Sequence, residues 1–258
     1  MALVAITALA VSDTTVVARS DARATALAAE PAPSSSAVGV EPRHPPIPRR
    51  PTERARSFVP YTLVRIIRPM DLTARPGAGR VVGTMPRGSR YYAQPLVAWV
   101  LETTPDGRYG LAPVPYAGRE ATGWMRLRGL DTSTTRISVV ADLSEHRIVV
   151  RRGPSVLFRA PTATGAPDSP TPAGRYFVTD RVPLPGGGSL GTFAFGISGI
   201  QTRLPAGWSG GDQLAIHGTS APATIGTSSS AGCLRVSERV LARLRPLLRP
   251  GTPVVVVP

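Results

Sequence analysis

The sequence predicts a mainly β protein, and three observations support that fold class. Short apolar runs alternate with turn residues from residue 59 onward. Proline (28) and glycine (26) make up about a fifth of the 258 residues, which favours many turns and short strands. Helical periodicity occurs in only one late segment, and strands do not alternate with helices, so the chain is not a doubly wound α/β protein.

The first part of the chain predicts an export segment and a linker. Residues 1–30 contain an apolar run from Ala2 to Val11 and then small residues, as in a signal peptide, although no basic residue precedes the run. Residues 31–58 are rich in Pro, Arg and Ser, which is typical of an extended linker. We therefore expect an exported protein of the cell envelope or exterior. No later segment approaches the ~18 apolar residues of a membrane span.

Residues 59–133 are expected to form a small β barrel, with Trp99 and Trp124 in or near its core. The turn TPDGRYG lies between alternating runs and predicts a hairpin. The strand candidates are YTLVRIIRP, RVVGTMPRGSRYYA, LVAWVLETTPDGRYGLAPV and ATGWMRLRGL. We expect this module to fold separately and to be dispensable for chemistry.

Residues 134–258 are expected to form a second β domain. RISVVADLSEHRIVVRRG predicts two strands joined by a turn, with His146 solvated in that turn. Helical period appears only in SERVLARLRPLL, where Ser237 fits the N-cap and three leucines form an apolar stripe. PVVVV predicts a buried closing strand. The glycine-rich loop at 185–191 is expected to cover a site.

The formal net charge is +14, and every basic residue is arginine. This charge favours attraction to a polyanion such as an envelope polymer or nucleic acid, or else it is a solvated surface set by codon usage. No basic stretch is interleaved with aromatic residues, so we expect no nucleic-acid partner.

The only cysteine, Cys233, lies 16 residues after one of three histidines, His217. A single cysteine excludes an internal disulfide and multi-cysteine metal sites. A histidine within hydrogen-bond reach can convert a thiol to the reactive thiolate. Gly232 and Cys233 carry amides suited to an oxyanion hole, and Arg235 can hold a carboxylate by a two-pronged hydrogen bond.

Other interpretations of the same residues remain open. A lone cysteine is often a small buried hydrophobe, and Arg235 could simply pair with Glu238. The protein could be a wall-binding module without chemistry. A metal site of His217, Cys233 and Asp212 lacks a convincing ligand set, so we expect no metal and no cofactor.

The segments IHGT and TIGTSSSAGCLR resemble the active-site motif of the L,D-transpeptidases, the YkuD-type catalytic domain. The matching positions are His217-Gly218-Thr219, Ile225-Gly226 and Ser230-Ala231-Gly232-Cys233-Leu234-Arg235. Upstream, Thr171, Pro172, Gly174 and Tyr176–Phe177 match a further family segment, and the resemblance covers residues 134–258. The family often has histidine where this chain has Ala231, which leaves His217 as the sole base. The preceding residues 59–133 resemble a bacterial SH3-like module.

The resemblance implies a β-sandwich with one short helix after the cysteine, and a peptidoglycan L,D-transpeptidase. Cys233 would be acylated by a stem tetrapeptide, and His217 would take the thiol proton. A second stem would then attack the thioester and complete a 3→3 cross-link. Ser230, Gly218, Thr219 and Arg235 are the expected substrate-binding residues, and carbapenems the expected inhibitors. An L,D-carboxypeptidase, in which water resolves the thioester, is the alternative with the same site.

Overall fold

The computed structural model describes residues 58–258, all within one compact unit. The predicted export segment 1–30, and all of the linker 31–58 except its last residue, lie outside the described residues. The described chain is mainly β, which confirms the predicted fold class. In this part of the chain no helix is long and apolar enough to cross a membrane.

The first eight strands form two sheets. One has three strands in the order β4-β1-β8, and the other has five in the order β3-β2-β7-β6-β5. The strand bounds are β1 Tyr61–Arg65, β2 Met70–Arg75, β3 Ala78–Met85, β4 Val97–Val100, β5 Glu102–Thr103, β6 Tyr109–Pro113, β7 Thr122–Arg126 and β8 Thr132–Thr135.

The remaining strands build one large sheet and a short pair. The large sheet has eight strands in the order β11-β10-β9-β18-β13-β14-β15-β17, and β12 pairs with β16. The strand bounds are β9 Ile137–Asp142, β10 Arg147–Arg152, β11 Ser155–Pro161, β12 Thr164–Gly165, β13 Gly174–Pro183, β14 Phe193–Ile200, β15 Gln213–His217, β16 Ser228–Ser230, β17 Leu234–Arg235 and β18 Pro253–Val257.

Strand β18 is the apolar closing strand that the sequence predicts, and it lies in the interior of the large sheet. It runs parallel to β9 and antiparallel to β13. A strand buried between two neighbours needs no polar alternation, which explains the run of valines. Strand β18 therefore pairs with β9, which is the first strand of the large sheet in chain order.

The one α-helix of residues 58–258, α1, runs over Glu238–Leu244. Ser237 is its N-cap, and its hydroxyl accepts a hydrogen bond from the Val240 amide at 3.3 Å, as the sequence predicts. Leu241, Leu244 and Leu248 are all buried, although Leu248 lies beyond the last helical residue. A 3-10 turn at Pro222–Thr224 precedes the helix in the chain.

A single core cluster links the first eight strands to the large sheet. Phe177 of β13 is fully buried and packs within the cluster that contains Leu63, Val64 and Trp99. A second cluster fills the large sheet and includes Phe195 and Ile216. The boundary at residue 134 and the SH3-like character of residues 59–133 remain predictions.

Candidate active site

The sheet register brings the cysteine and the histidine together. Strands β15 and β17 are parallel neighbours, with Ile216 opposite Leu234 and His217 opposite Arg235. Ile216 and Leu234 are buried in the core. Because side chains alternate across a sheet, His217 lies on the opposite face, and so does Cys233, one residue before β17.

Cys233 and His217 line the same cavity, whose volume is about 420 Å³. Ala194 and Ala215 also line it, and their side chains are small. Ser189 and Leu190 border it too, which places part of the 185–191 loop beside the cavity, where the sequence predicts a covering loop. A concave cavity with a thiol and an imidazole is a candidate active site.

Ser230 holds the turn that presents the thiol. Its hydroxyl donates to the carbonyl of Cys233 at 2.6 Å and accepts the amide of Gly232 at 3.0 Å. Ser230 is buried and does not line the cavity, so its hydroxyl serves the turn where a substrate contact is expected from sequence. The Gly232 amide is likewise occupied, and the Cys233 amide has no hydrogen-bond partner within residues 58–258.

Gly232 is the residue type that this turn requires. Its φ of +113° is one that residues with a side chain rarely adopt. An added Cβ would also lie 2.5 Å from Nε2 of Gln201. That amide donates to the carbonyl of Pro170 at 2.8 Å. Thr171 completes the support, since its hydroxyl donates to the carbonyl of Gly232 at 2.8 Å. The Thr-Pro segment noted in the sequence therefore braces the cysteine turn.

His217 is buried, and its ring is oriented by its own neighbour. Nδ1 lies 2.5 Å from the carbonyl oxygen of Gly218. A carbonyl can only accept, so Nδ1 carries the proton and Nε2 has the free lone pair. Burial lowers the pKa of His217 from its ordinary value to about 4, against the opposing effect of the Gly218 and Leu190 backbone. His217 is thus a neutral base at neutral pH.

The Cys233 thiol is also neutral in this arrangement. Burial raises its pKa above the ordinary value, and the backbone of Ala215 and the charge of Arg235 oppose this shift. Sγ lies 4.0 Å from the carbonyl oxygen of Gln213. The sequence led us to expect a thiolate–imidazolium pair, and both pKa directions oppose it. Helix α1, the short helix expected after the cysteine, begins five residues after Cys233, beyond β17.

Arg235 and Thr219 are not among the residues that line the cavity. The positive charge of Arg235 lowers the pKa of both His217 and Cys233. Its Nε is buried without a partner, and among the described residues it forms no ion pair. Glu238 binds Thr192 instead. The Thr219 hydroxyl accepts the amide of Ala221 at 3.0 Å.

Sequence reasoning missed a polar network under the cavity. Gln213 lines the cavity, and its Nε2 donates to the Asp180 carboxylate at 2.9 Å. Asp180 is fully buried, and among the described residues Oδ1 of Asp180 and Oε1 of Gln213 have no hydrogen-bond partner. The sequence does contain a signal for this network, which is an acidic residue inside the apolar run YFVTDRV. A carboxylate is rarely buried in a strand unless it is paired or hydrogen-bonded.

His146 and Asp212 belong elsewhere. His146 lies in the β9–β10 turn, as predicted, but it is half-buried where a solvated side chain was expected, with Nδ1 3.1 Å from the Thr164 hydroxyl. Asp212 binds Arg90 and Tyr91. Within residues 58–258, no group of three or more His, Cys, Asp or Glu side chains is placed to hold a metal ion.

The fold and site thus define a mainly β protein with a thiol and a neutral imidazole at one cavity. Comparison with known proteins shows which proteins the chain is similar to. Residues 136–256 match the family model of the YkuD L,D-transpeptidase catalytic domain. A Bacillus licheniformis protein of the L,D-transpeptidase YkuD type is 29% identical over 132 residues, which cover 51% of this chain and 71% of that protein.

Solved structures of the same kind also match. An L,D-transpeptidase from Mycobacterium smegmatis is 17% identical and covers 63% of this chain and 90% of its own, with a TM-score of 0.39. The LD transpeptidase LdtMt1 in complex with imipenem is 16% identical, with coverage of 62% and 90% and a TM-score of 0.40. The family-model match over residues 136–256 confirms the resemblance to the L,D-transpeptidase catalytic domain that the motifs predict.

Proposed function

We propose that this protein is an exported peptidoglycan L,D-transpeptidase that uses Cys233 as its nucleophile and forms 3→3 cross-links. One observation carries the proposal: Cys233 and His217 line one cavity, His217 at the end of β15 and Cys233 directly before the neighbouring β17, within the residues that match the YkuD family model. The net charge of +14 suits an envelope whose polymers are anionic.

The chemistry begins with a neutral pair. Sγ of Cys233 attacks the carbonyl carbon after the third residue of a stem tetrapeptide, and its proton passes to Nε2 of His217. The bond to D-alanine then breaks, and His217 returns the proton to the leaving amine. An acceptor amine attacks the thioester, gives its proton to His217, and the thiol is restored.

Three groups can assist this reaction. The Cys233 amide, which lacks a partner in the described chain, can donate to the developing oxyanion. The Gly232 amide can join it only if the Ser230 hydroxyl releases it. Arg235 lowers the pKa of the thiol and so favours thiolate character as attack proceeds.

Intact mass spectrometry with a carbapenem such as imipenem tests the nucleophile. The wild-type chain should gain the mass of one drug molecule, and Cys233→Ala should gain none. Ser229→Ala is the matched control, because it changes a nearby serine outside the cavity and should still be acylated. An adduct that persists in Cys233→Ala would place the nucleophile elsewhere.

A product assay then distinguishes a transpeptidase from an L,D-carboxypeptidase, which would share the same acyl-enzyme. The wild-type chain is incubated with a donor tetrapeptide stem, with and without an acceptor stem, and the products are identified by mass. A cross-linked product supports the transpeptidase. A tripeptide alone, with or without acceptor, would indicate the L,D-carboxypeptidase. Wall binding with neither product would indicate a binding module without chemistry.

A further inference from the structure

Three exposed aromatic side chains line the same cavity as Cys233. Tyr91 is 51% exposed, Tyr92 is 54% exposed and Trp208 is 45% exposed. Large apolar side chains that remain in water, and that cluster along a cavity, mark a place where a ligand covers them. Nothing in the proposed acyl transfer uses these rings.

Two glycines allow two of the rings to pack closely against the backbone. A Cβ on Gly210 would meet the Trp208 indole at 2.8 Å, and one on Gly211 would meet the Tyr91 ring at 3.2 Å. Nε1 of Trp208 also donates to the carbonyl of Gly211 at 3.1 Å. The Gly-Gly pair therefore gives both rings a common backing.

Asp212 links the segment that contains Trp208 and the two glycines to the first eight strands. Its Oδ2 is 3.0 Å from Nη2 of Arg90, and its Oδ1 accepts the Tyr91 hydroxyl at 2.6 Å. Arg90 and Tyr91 lie between β3 and β4, whereas Asp212 directly precedes β15, the strand that ends at His217. The Arg90 amide is held further by the Tyr116 hydroxyl at 3.3 Å. The Tyr91 and Trp208 rings are thus held in place before a ligand arrives, which reduces the entropic cost of binding.

We propose that Tyr91, Tyr92 and Trp208 form a subsite for a saccharide ring of the substrate. This inference rests on the proposed function, since a stem peptide of peptidoglycan is joined to amino sugars. A pyranose presents C–H groups on its face, which stack on an aromatic ring, and hydroxyls at its edge, which remain hydrated or bind charged groups. Half-exposed rings beside Arg90 and Asp212 match both needs. An apolar peptide side chain would instead favour an enclosed pocket.

The subsite is tested on the full chain with two donors, a free tetrapeptide stem and the same stem bearing its disaccharide. The quantity measured is the ratio of kcat/KM for the disaccharide donor to kcat/KM for the free donor. Tyr92→Ala and Trp208→Ala should each lower this ratio by about tenfold, equivalent to about 1.4 kcal/mol. Tyr92→Phe retains the ring and should keep the ratio. Val81→Ala removes an exposed apolar side chain outside the cavity and should keep it too.

A binding experiment separates this proposal from the reaction itself. A peptide-free disaccharide of N-acetylated amino sugars is added to Cys233→Ala, and saturation-transfer NMR reports which sugar protons touch the protein. Contact that disappears in Cys233→Ala/Tyr92→Ala supports the subsite, even if the wild type shows no transpeptidation. No contact in Cys233→Ala at millimolar sugar, or an unchanged donor ratio in the alanine variants, overturns it.

Discussion

Nδ1 of His217 and the carbonyl oxygen of Gly218 lie 2.5 Å apart, and this single contact fixes the tautomer of the candidate base. The proton resides on Nδ1, and Nε2 is left to accept one. Burial keeps the ring neutral at neutral pH and keeps the Cys233 thiol protonated. The pair is therefore poised for proton transfer during attack.

The pH dependence of acylation follows from these directions. His217 must be neutral to accept the thiol proton, and its pKa is lowered to about 4. We expect the carbapenem acylation rate to be nearly constant from neutral pH down to about pH 5, and to fall as pH drops through about 4. Stopped-flow absorbance measures the rate. A fall centred near the ordinary histidine pKa of about 6.5 would contradict a buried base.

Removal of the imidazole should slow acylation strongly. His217→Ala should lower the rate by roughly 10²–10⁴, the usual contribution of a positioned general base. His217→Asn is the sharper variant, because its amide can still donate to the Gly218 carbonyl while it offers no basic nitrogen. Equal loss in both variants, with circular dichroism unchanged, supports the base role. If His217→Asn retained the wild-type rate, His217 would only be structural.

Ser230→Ala should weaken the cysteine turn. It removes the partner of the Gly232 amide and of the Cys233 carbonyl, in a buried position. We expect the free energy of unfolding to fall by about 1–3 kcal/mol in urea titrations, and acylation to slow. Ser229→Ala is the neighbouring control. Faster acylation in Ser230→Ala would show that the serine withholds the Gly232 amide from the oxyanion.

The sequence predicts the local features well and the long-range ones poorly, for physical reasons. The N-cap at Ser237, the β9–β10 turn and the closing strand depend on neighbours in the chain, so residue pattern alone is sufficient. Both pKa directions oppose the thiolate–imidazolium pair that the sequence led us to expect. Burial sets these directions, and it comes from strands that are distant in the chain. Ser230 fits a substrate contact by motif, but the fold turns its hydroxyl toward its own backbone. The Arg90–Asp212 contact joins residues 122 positions apart, which no periodicity predicts.

The last prediction concerns how the two parts of the chain unfold. Separate folding of residues 59–133 was expected from their short strands and turns. However, Phe177 is fully buried in the same cluster as Trp99, which ties the two parts energetically. We expect the fluorescence of Trp99 and the reactivity of the Cys233 thiol to change at the same urea concentration, as in one cooperative transition. Because the indoles of Trp124 and Trp208 would contribute to the signal, both are replaced by Phe in this experiment.

Phe177→Ala provides the decisive variant. Loss of this side chain should cost about 3–5 kcal/mol, the usual range for a buried phenylalanine, and should shift both probes together. Phe158→Ala is the matched control, since Phe158 packs in the other cluster. If the Trp99 signal changed at a lower urea concentration while the thiol stayed protected, the first eight strands would be an independent module and the division of labour expected from sequence would hold.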